Sequence, residues 1–146
     1  MYVNGKFNYY YLYNADYPGE VGTAWRLATT TDGVAFADQG IAAPKNTNAN
    51  ADLWSGSAVV DTANTAGFGV GAVVQLVTQQ DHPVNGSGPQ AQFLWYSIDG
   101  GRTFRPYGDT PVIPNGGRRD FRDPKVSWDA ARGRWVAAIT EGDRIG

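Results

Sequence analysis

The chain has 146 residues, a mass of 15.7 kDa, a formal charge of -2 and a pI near 5.2. This is the size of one ordinary domain, and 42% hydrophobic residues are enough for a buried core, so a disordered tail is excluded. The acidic balance argues against nucleic acid as a partner, because phosphate neutralisation needs a basic excess. The chain has no Cys, and His82 is its single His. A disulfide framework, a Cys nucleophile and a multi-His metal site are therefore excluded.

Short apolar runs separated by turn residues predict many β-strands and no long helix. No run approaches the ~20 apolar residues of a membrane helix, so no membrane partner is predicted. Asn, Gly, Ser and Pro predict loops over Ala42 to Asp52 and Asp81 to Pro89. Eight strands are predicted, at Lys6 to Tyr13, Thr23 to Thr30, Ser55 to Asp61, Val70 to Thr78, Gln92 to Ser97, Thr103 to Tyr107, Lys125 to Trp128 and Arg134 to Thr140.

A weak internal repeat relates the segment Thr30 to Phe36 to the segment Ser97 to Phe104, about 67 residues later. The second copy fits the pattern Ser-x-Asp-x-Gly-x-Thr-aromatic. This pattern predicts a hairpin turn in which the Asp carboxylate accepts local backbone N–H groups and Gly takes a positive φ. We therefore predict a structural role, not a catalytic one, for Asp32 and Asp99.

Four-stranded units with this turn are typical of β-propeller blades of ~40–50 residues. Eight strands make about two blades, whereas a closed propeller usually has ~4–8. Three interpretations stay open at this point: a piece of a longer protein, an assembly of several copies, or a fold that is not a propeller.

The segment Arg119 to Val126 carries the strongest candidate for chemistry. It leaves a Gly-containing loop and enters an apolar strand, and Pro124 restricts the backbone beside Asp123. An Arg next to an Asp at the start of a strand can hold a charged pair whose free oxygen faces a ligand. The alternative is a purely structural ion pair between Arg122 and Asp123.

A second candidate is Asp52 to Ser57, in which Trp54, Ser55 and Ser57 precede an apolar run. Indole faces stack on sugar rings and hydroxyls bind sugar hydroxyls, so the segment suits a carbohydrate ligand. A core Trp followed by a Ser-Gly bulge is the structural alternative.

Together these segments resemble family-32 glycoside hydrolases, the group of β-fructofuranosidases, invertases, inulinases and levanases. Phe121 to Lys125 is similar to the Arg-Asp-Pro motif of that family, and Trp54 to Ser57 is similar to its aromatic-Ser-Gly-Ser motif. Trp25 to Asp32 resembles a Trp-x-x-Ala-x-Ser-x-Asp segment, and Tyr9 to Asn14 resembles the strand of the first blade.

The resemblance implies an all-β fold, part of a five-bladed β-propeller: residues 1–146 would form most of blade 1, blade 2 and the start of blade 3, about two to two and a half blades. It also implies a secreted glycosidase, although the chain shows no signal sequence. Such an enzyme cleaves β-fructofuranosyl linkages in fructans (levan or inulin) or sucrose with retention. It needs no metal or organic cofactor.

The resemblance also implies residue roles. Asp123 would stabilise the transition state by accepting hydrogen bonds from fructose hydroxyls, and Arg122 would orient neighbouring carboxylates. The sugar subsite would be lined by Trp54, Ser55, Trp25 and Asn14. Asn14, followed by Ala15-Asp16-Tyr17-Pro18, stands where most members have Gln, which favours the levan-processing branch.

Two family motifs have no counterpart among residues 1–146. The nucleophile motif, Asn-Asp-Pro-Asn-Gly, would precede the region of Met1 to Phe7, and the Glu-Cys motif of the acid/base would follow the Arg-Asp-Pro segment. The two Glu residues are Glu20 and Glu141, and we expect a hairpin role for Glu141. The isolated segment is therefore predicted to be inactive.

Two further functions stay open. One is a levan fructotransferase, in which a sugar hydroxyl replaces water as the acceptor. The other is a non-catalytic, carbohydrate-binding propeller piece. The sequence leaves the linkage specificity, exo or endo action and the oligomeric state undetermined.

Overall fold

The computed structural model describes residues 1–15, 22–47, 50, 52–85 and 87–142. Within these ranges the chain forms ten strands in three antiparallel sheets, with no helix and hence none that could span a membrane. The predicted all-β class is confirmed. Sheet I contains β1 (Tyr2–Val3), β2 (Lys6–Tyr13), β3 (Ala24–Thr30) and β4 (Ala37–Ala43); sheet II contains β5 (Gly56–Asp61), β6 (Ala72–Gln80), β7 (Gln90–Ser97) and β8 (Arg105–Pro106); sheet III contains β9 (Phe121–Asp129) and β10 (Arg134–Glu141).

All eight predicted strands are present, and two strands, β1 and β4, were not predicted. Strand β4 reads Ala-Asp-Gln-Gly-Ile-Ala-Ala, and Asp, Gly and Ala have low strand propensity. The predicted loop starting at Ala42 was wrong at its first two residues, because Ala42 and Ala43 belong to β4 and are buried, and Ala43 pairs with Trp25 of β3. Packing and pairing decide this strand, whereas its local sequence does not.

The internal repeat falls at equivalent points of sheets I and II. Strand β3 ends at Thr30 and β7 at Ser97, and each is followed by the predicted Asp turn. Asp99 Oδ1 accepts the backbone N–H groups of Arg102 and Thr103, both at 3.0 Å. In the first copy, Asp32 Oδ1 accepts the N–H groups of Val34 at 2.8 Å and Ala35 at 2.9 Å. The predicted structural chemistry of both turns is present.

These hydrogen bonds also set the acidity of the two carboxylates. The backbone N–H groups of Val34 and Ala35 lower the pKa of Asp32. For Asp99, burial alone would raise the pKa, but hydrogen bonds from Ser97, Thr103 and the local backbone outweigh it and lower the pKa to about 2. Both carboxylates are therefore held ionised within their own turns.

The hydrophobic core contains side chains from both four-stranded sheets. Trp25 and Leu27 of β3 form one cluster with Val73, Phe93 and Trp95 of sheet II, and all five are at most 5% exposed. Tyr10 packs against this cluster from β2 and donates its hydroxyl hydrogen to the carbonyl of Gly101 at 2.8 Å. Sheets I and II are thus joined through both apolar packing and hydrogen bonds.

The register places the ends of the strands in two groups. At one end, here called the upper end, Tyr13 pairs with Ala24, Gln80 with Gln90, and Phe121 with Glu141. Contacts between sheets connect these positions: Leu53 N donates to Thr23 O at 2.9 Å, and Gln92 Nε2 donates to Phe121 O at 2.7 Å. The opposite, lower end carries the two Asp turns.

Candidate functional site

Asp123 lies at the upper end, in the third position of β9. The pairing of β9 with β10 shifts register here, from Ala138 opposite Lys125 to Thr140 opposite Arg122. Asp123 itself takes a left-handed conformation with a φ of 59°. Such a φ is uncommon for a residue other than Gly, and residues of this kind cluster at functional sites. The bulge and the backbone conformation together leave the Asp123 side chain half exposed.

Arg122 lies closer to Asp120 than to Asp123. Its Nη1 is 2.6 Å from Asp120 Oδ1, whereas its Nε is 3.9 Å from Asp123 Oδ2. The hydrogen bond from Arg122 lowers the pKa of Asp120. The sequence suggested an ion pair between Arg122 and Asp123, and the structure moves the short contact to Asp120. The Asp123 carboxylate therefore keeps acceptor capacity for a ligand.

Trp54 and Ser55 precede β5 at the same end, where their backbone pairs with β6. Trp54 N donates to Thr78 O at 2.9 Å, and Thr78 N donates to Ser55 O at 3.0 Å. Trp54 is half-buried and Ser55 is exposed. Because the Asp123 N–H also reaches Thr78, at Oγ1 and 3.1 Å, the two motifs meet at a single residue of β6.

Trp25 supports this arrangement from the core. It is 5% exposed, and its ring lies 5.8 Å from that of Tyr10. Its Nε1 donates to Trp54 O at 2.8 Å, so it holds the Trp54 backbone. The structure thus brings Trp25 and Trp54 together, but it leaves Trp25 with little free surface for a ligand.

Two other candidates are less closely joined to Asp123. Asn14 follows β2 at the upper end and is exposed, and no hydrogen bond between described residues links it to the other candidates. Glu141 ends β10 opposite Phe121, and its Oε1 lies 2.7 Å from Arg118 Nε. Asp16, Tyr17, Pro18 and Glu20, which were named from the sequence, lie outside the described residues.

The Ser-Gly-Ser motif has a packing role that the sequence analysis did not assign. A Cβ at Gly56 would lie 2.3 Å from the Leu76 carbonyl oxygen, so only glycine fits beside β6. Ser57 Oγ accepts the N–H of Val126 at 2.9 Å and joins β5 to β9. The residues Thr78, Gln90 and Gln92 were also missed as parts of the site, because in the sequence they read as ordinary strand residues.

A cavity of about 270 Å³ opens where the three sheets meet. Tyr10 and Trp25 line it from sheet I, Ser57 and Ala58 from sheet II, and Lys125 from sheet III. Among the described residues, no cluster of three His, Asp or Glu side chains could hold a metal ion. Asp123, Trp54 and Ser55 are not among the residues that line this cavity, but they offer a carboxylate, a half-buried indole and a hydroxyl, groups that suit a polyol or sugar.

Comparison with known proteins agrees with this geometry. The model of the glycosyl hydrolases family 32 N-terminal domain matches residues 1–146. The chain belongs to glycosyl hydrolase family 32. It is 51% identical over 146 residues to the levanbiose-producing levanase of Bacillus subtilis (strain 168) and 38% identical over 148 residues to the levanase of the same strain. These alignments cover 100% and 99% of the chain, but 28% and 21% of the two relatives.

The fold comparison also leads to family 32. The fructofuranosidase from Schwanniomyces occidentalis, as an E230A variant complexed with fructosylnystose, superposes with a TM-score of 0.75 and 32% identity. The superposition covers 92% of this chain and 26% of the other. The all-β fold of this family-32 chain is therefore that of part of a β-propeller.

Proposed function

We propose that residues 1–146 form the N-terminal part of the catalytic propeller of a retaining glycosidase that cleaves β-fructofuranosyl linkages in levan. Sheet I would be most of blade 1, sheet II blade 2, and sheet III the start of blade 3 of five. The observation that carries the proposal is the half-exposed Asp123, in a left-handed bulge, joined through Thr78 to Trp54 and Ser55.

Asp123 has the geometry of a transition-state stabiliser. As the glycosidic bond breaks, the fructosyl ring gains positive charge, and its hydroxyl groups become better hydrogen-bond donors. A fixed carboxylate that accepts these hydrogen bonds binds the transition state more tightly than the substrate. Arg122, held by Asp120 at 2.6 Å, places a positive charge beside this carboxylate.

Three of the other candidate residues would bind the sugar, and Trp25 would support one of them. Trp54 would stack on the ring and Ser55 would hydrogen bond its hydroxyls, while Trp25 holds the Trp54 carbonyl through its indole N–H. Asn14, at the same end of sheet I, would contact the substrate at the edge of the subsite. This assignment gives Asp123 and Arg122 roles in the reaction, gives Trp54, Ser55 and Asn14 roles in substrate binding, and gives Trp25 the role of holding Trp54.

Levan is favoured as the substrate over inulin and sucrose. The support is the 51% identity to a levanbiose-producing levanase across the whole chain. Because the family motifs of the nucleophile and of the acid/base are not among residues 1–146, we propose that this segment alone releases no fructose. Secretion is part of the same proposal, since an enzyme that acts on a fructan polymer encounters its substrate outside the cell.

The test expresses the complete reading frame that contains this sequence and incubates the protein with levan, inulin and sucrose. We expect fructose or short fructo-oligosaccharides from levan at the highest rate, and no release after Asp123→Asn. A cyclic difructose as the product would assign a fructotransferase instead. Binding of levan without any product would assign a carbohydrate-binding module, and absence of both binding and cleavage would contradict the proposal.

A further inference from the structure

We propose that Thr78 is a positioning residue of the reaction: its hydroxyl fixes the backbone of Asp123 while its main chain fixes Trp54 and Ser55. This inference rests on the proposed function, because it concerns the same site. Thr78 is fully buried in β6 and touches no substrate in the proposed arrangement. It therefore acts through the residues it holds.

The directions of the hydrogen bonds are fixed by their chemistry. Gln92 Nε2 donates to the carbonyl of Phe121 at 2.7 Å, so its Oε1 is left as an acceptor. Thr78 Oγ1 donates its single hydrogen to that Oε1 at 2.9 Å. The lone pairs of Oγ1 are then free to accept the Asp123 N–H at 3.1 Å. Together with the backbone of residues 121 to 123, the side chains of Gln92 and Thr78 thus form a closed ring of hydrogen bonds.

The loop holds a backbone that would otherwise relax. Asp123 has a φ of 59°, a conformation that costs on the order of 1–3 kcal/mol for a residue other than Gly and persists only when its surroundings hold it. Gln90 restrains the same backbone segment a second time, because its Oε1 accepts the N–H of Phe121 at 2.9 Å. Loss of the Thr78 hydroxyl would let Asp123 move, and a carboxylate that moves by a fraction of an ångström loses its alignment with the sugar.

The main chain of Thr78 makes the second connection. Its carbonyl accepts the N–H of Trp54 and its N–H donates to Ser55 O. These hydrogen bonds do not depend on the side chain. A substitution at position 78 that removes the hydroxyl therefore removes the hydrogen bond to Asp123 and keeps those to Trp54 and Ser55. Thr78→Val should disturb the carboxylate and leave the sugar-stacking segment in place.

In the complete protein that contains this sequence, we expect Thr78→Val to lower kcat on levan by about 10- to 100-fold, with KM changed by less than about 3-fold. Thr78→Ser restores the hydroxyl and is expected to recover most of kcat. The matched control is Thr30→Val: Thr30 is also buried, and its hydroxyl accepts the N–H groups of Asp32 and Gly33 at the lower end. This control should lower stability without lowering kcat.

A second measurement is independent of activity. Amide hydrogen exchange by NMR should show faster exchange at Asp123 in Thr78→Val than in the unmodified protein and in Thr78→Ser. If Thr78→Val does not fold, Thr78→Ala removes the hydroxyl without placing a methyl group against Gln92 Oε1 and keeps the Gln92 hydrogen bond to Phe121 O; the same loss of kcat is expected.

Equal kcat in Thr78→Val and the unmodified protein would overturn the inference, and so would an equal loss in Thr78→Ser and Thr78→Val. Unchanged exchange at Asp123 in Thr78→Val would also overturn it. If the unmodified protein releases neither fructose nor fructo-oligosaccharides from levan, inulin or sucrose, the proposed function fails, while the exchange experiment still decides whether Thr78 holds Asp123.

Discussion

The two ends of the sheets use aspartate in opposite ways. At the lower end, Asp32 and Asp99 each accept two backbone N–H groups of their own turn. At the upper end, the Asp123 carboxylate has one ion-pair partner among the described residues, Arg122 at 3.9 Å. Here the backbone N–H of Asp123 is held while its carboxylate remains half exposed.

This difference separates carboxylates that bind their own turn from a carboxylate that is available to a ligand. A carboxylate whose lone pairs are filled by its own turn stabilises a hairpin and has little capacity for a substrate. A carboxylate whose backbone is fixed and whose oxygens face solvent can bind a ligand with little loss of entropy. The aspartate to be tested in catalysis is therefore Asp123, and the lower-end aspartates serve as its controls.

The largest expected effect is that of Asp123→Asn on activity. In the complete protein, we expect kcat on levan to fall by at least about 1,000-fold, because an amide cannot replace the charge of the stabilising carboxylate. Fructose release and product analysis measure it. The matched variant Asp99→Asn should keep its kcat, and a comparable loss of kcat in both variants would break the comparison between the two ends.

The second prediction sharpens the structural role of the lower end. Phe104, at the end of the second repeat, is 4% exposed, and the centroid of its ring lies 5.5 Å from that of the Tyr10 ring. Its counterpart Phe36 is 51% exposed. In the 146-residue chain, Phe104→Ala should reduce the free energy of unfolding by about 3–5 kcal/mol. For Phe36→Ala we expect less than about 1 kcal/mol. Urea unfolding of the two variants tests this difference, and equal losses would contradict it.

The third prediction concerns a structural requirement at the upper end. An Ala at Gly56 would place its Cβ 2.3 Å from the Leu76 carbonyl oxygen, so β5 must move away from β6. We expect Gly56→Ala to cost about 1–3 kcal/mol of stability. Gly108→Ala is the control, since no atom lies within 4 Å of its added Cβ, and its unfolding free energy should change by less than about 0.5 kcal/mol.

The smallest expected effect is the pH dependence of the Asp99 turn. The pKa of Asp99 is lowered to about 2 in the folded chain, below its value in the unfolded chain. The turn therefore contributes its stability above about pH 4 and loses it as the pH falls from about 4 to about 2. Because Asp99 is exposed and solvent screens it, we expect Asp99→Asn to cost about 1 kcal/mol near neutral pH.

Urea unfolding between pH 6 and pH 2 measures this effect. The stability difference between the unmodified chain and Asp99→Asn should shrink toward zero at the acidic end of the range. A difference that stays constant with pH would show that the ionised carboxylate is not what stabilises the turn.

Much of the fold was predictable from local patterns. Short apolar runs separated by turn residues located eight strands, and the Ser-x-Asp-x-Gly pattern predicted the turn around Asp99 because its hydrogen bonds join neighbours in the sequence. Strand β4 was not predictable, since Ala42 and Ala43 are held by pairing and packing with distant residues.

The candidate site likewise has residues that local motifs predict and contacts that they do not. The sequence by itself determined that Asp123, Arg122, Trp54 and Ser55 are candidates, because short motifs of unusual composition mark them. Only the tertiary structure decided that Arg122 lies closest to Asp120, that Trp25 is buried, and that Thr78 lies between the motifs. Thr78 is 45 residues from Asp123 along the chain, and a hydrogen bond over that separation exists only after the sheets have packed. No local pattern can encode such a contact.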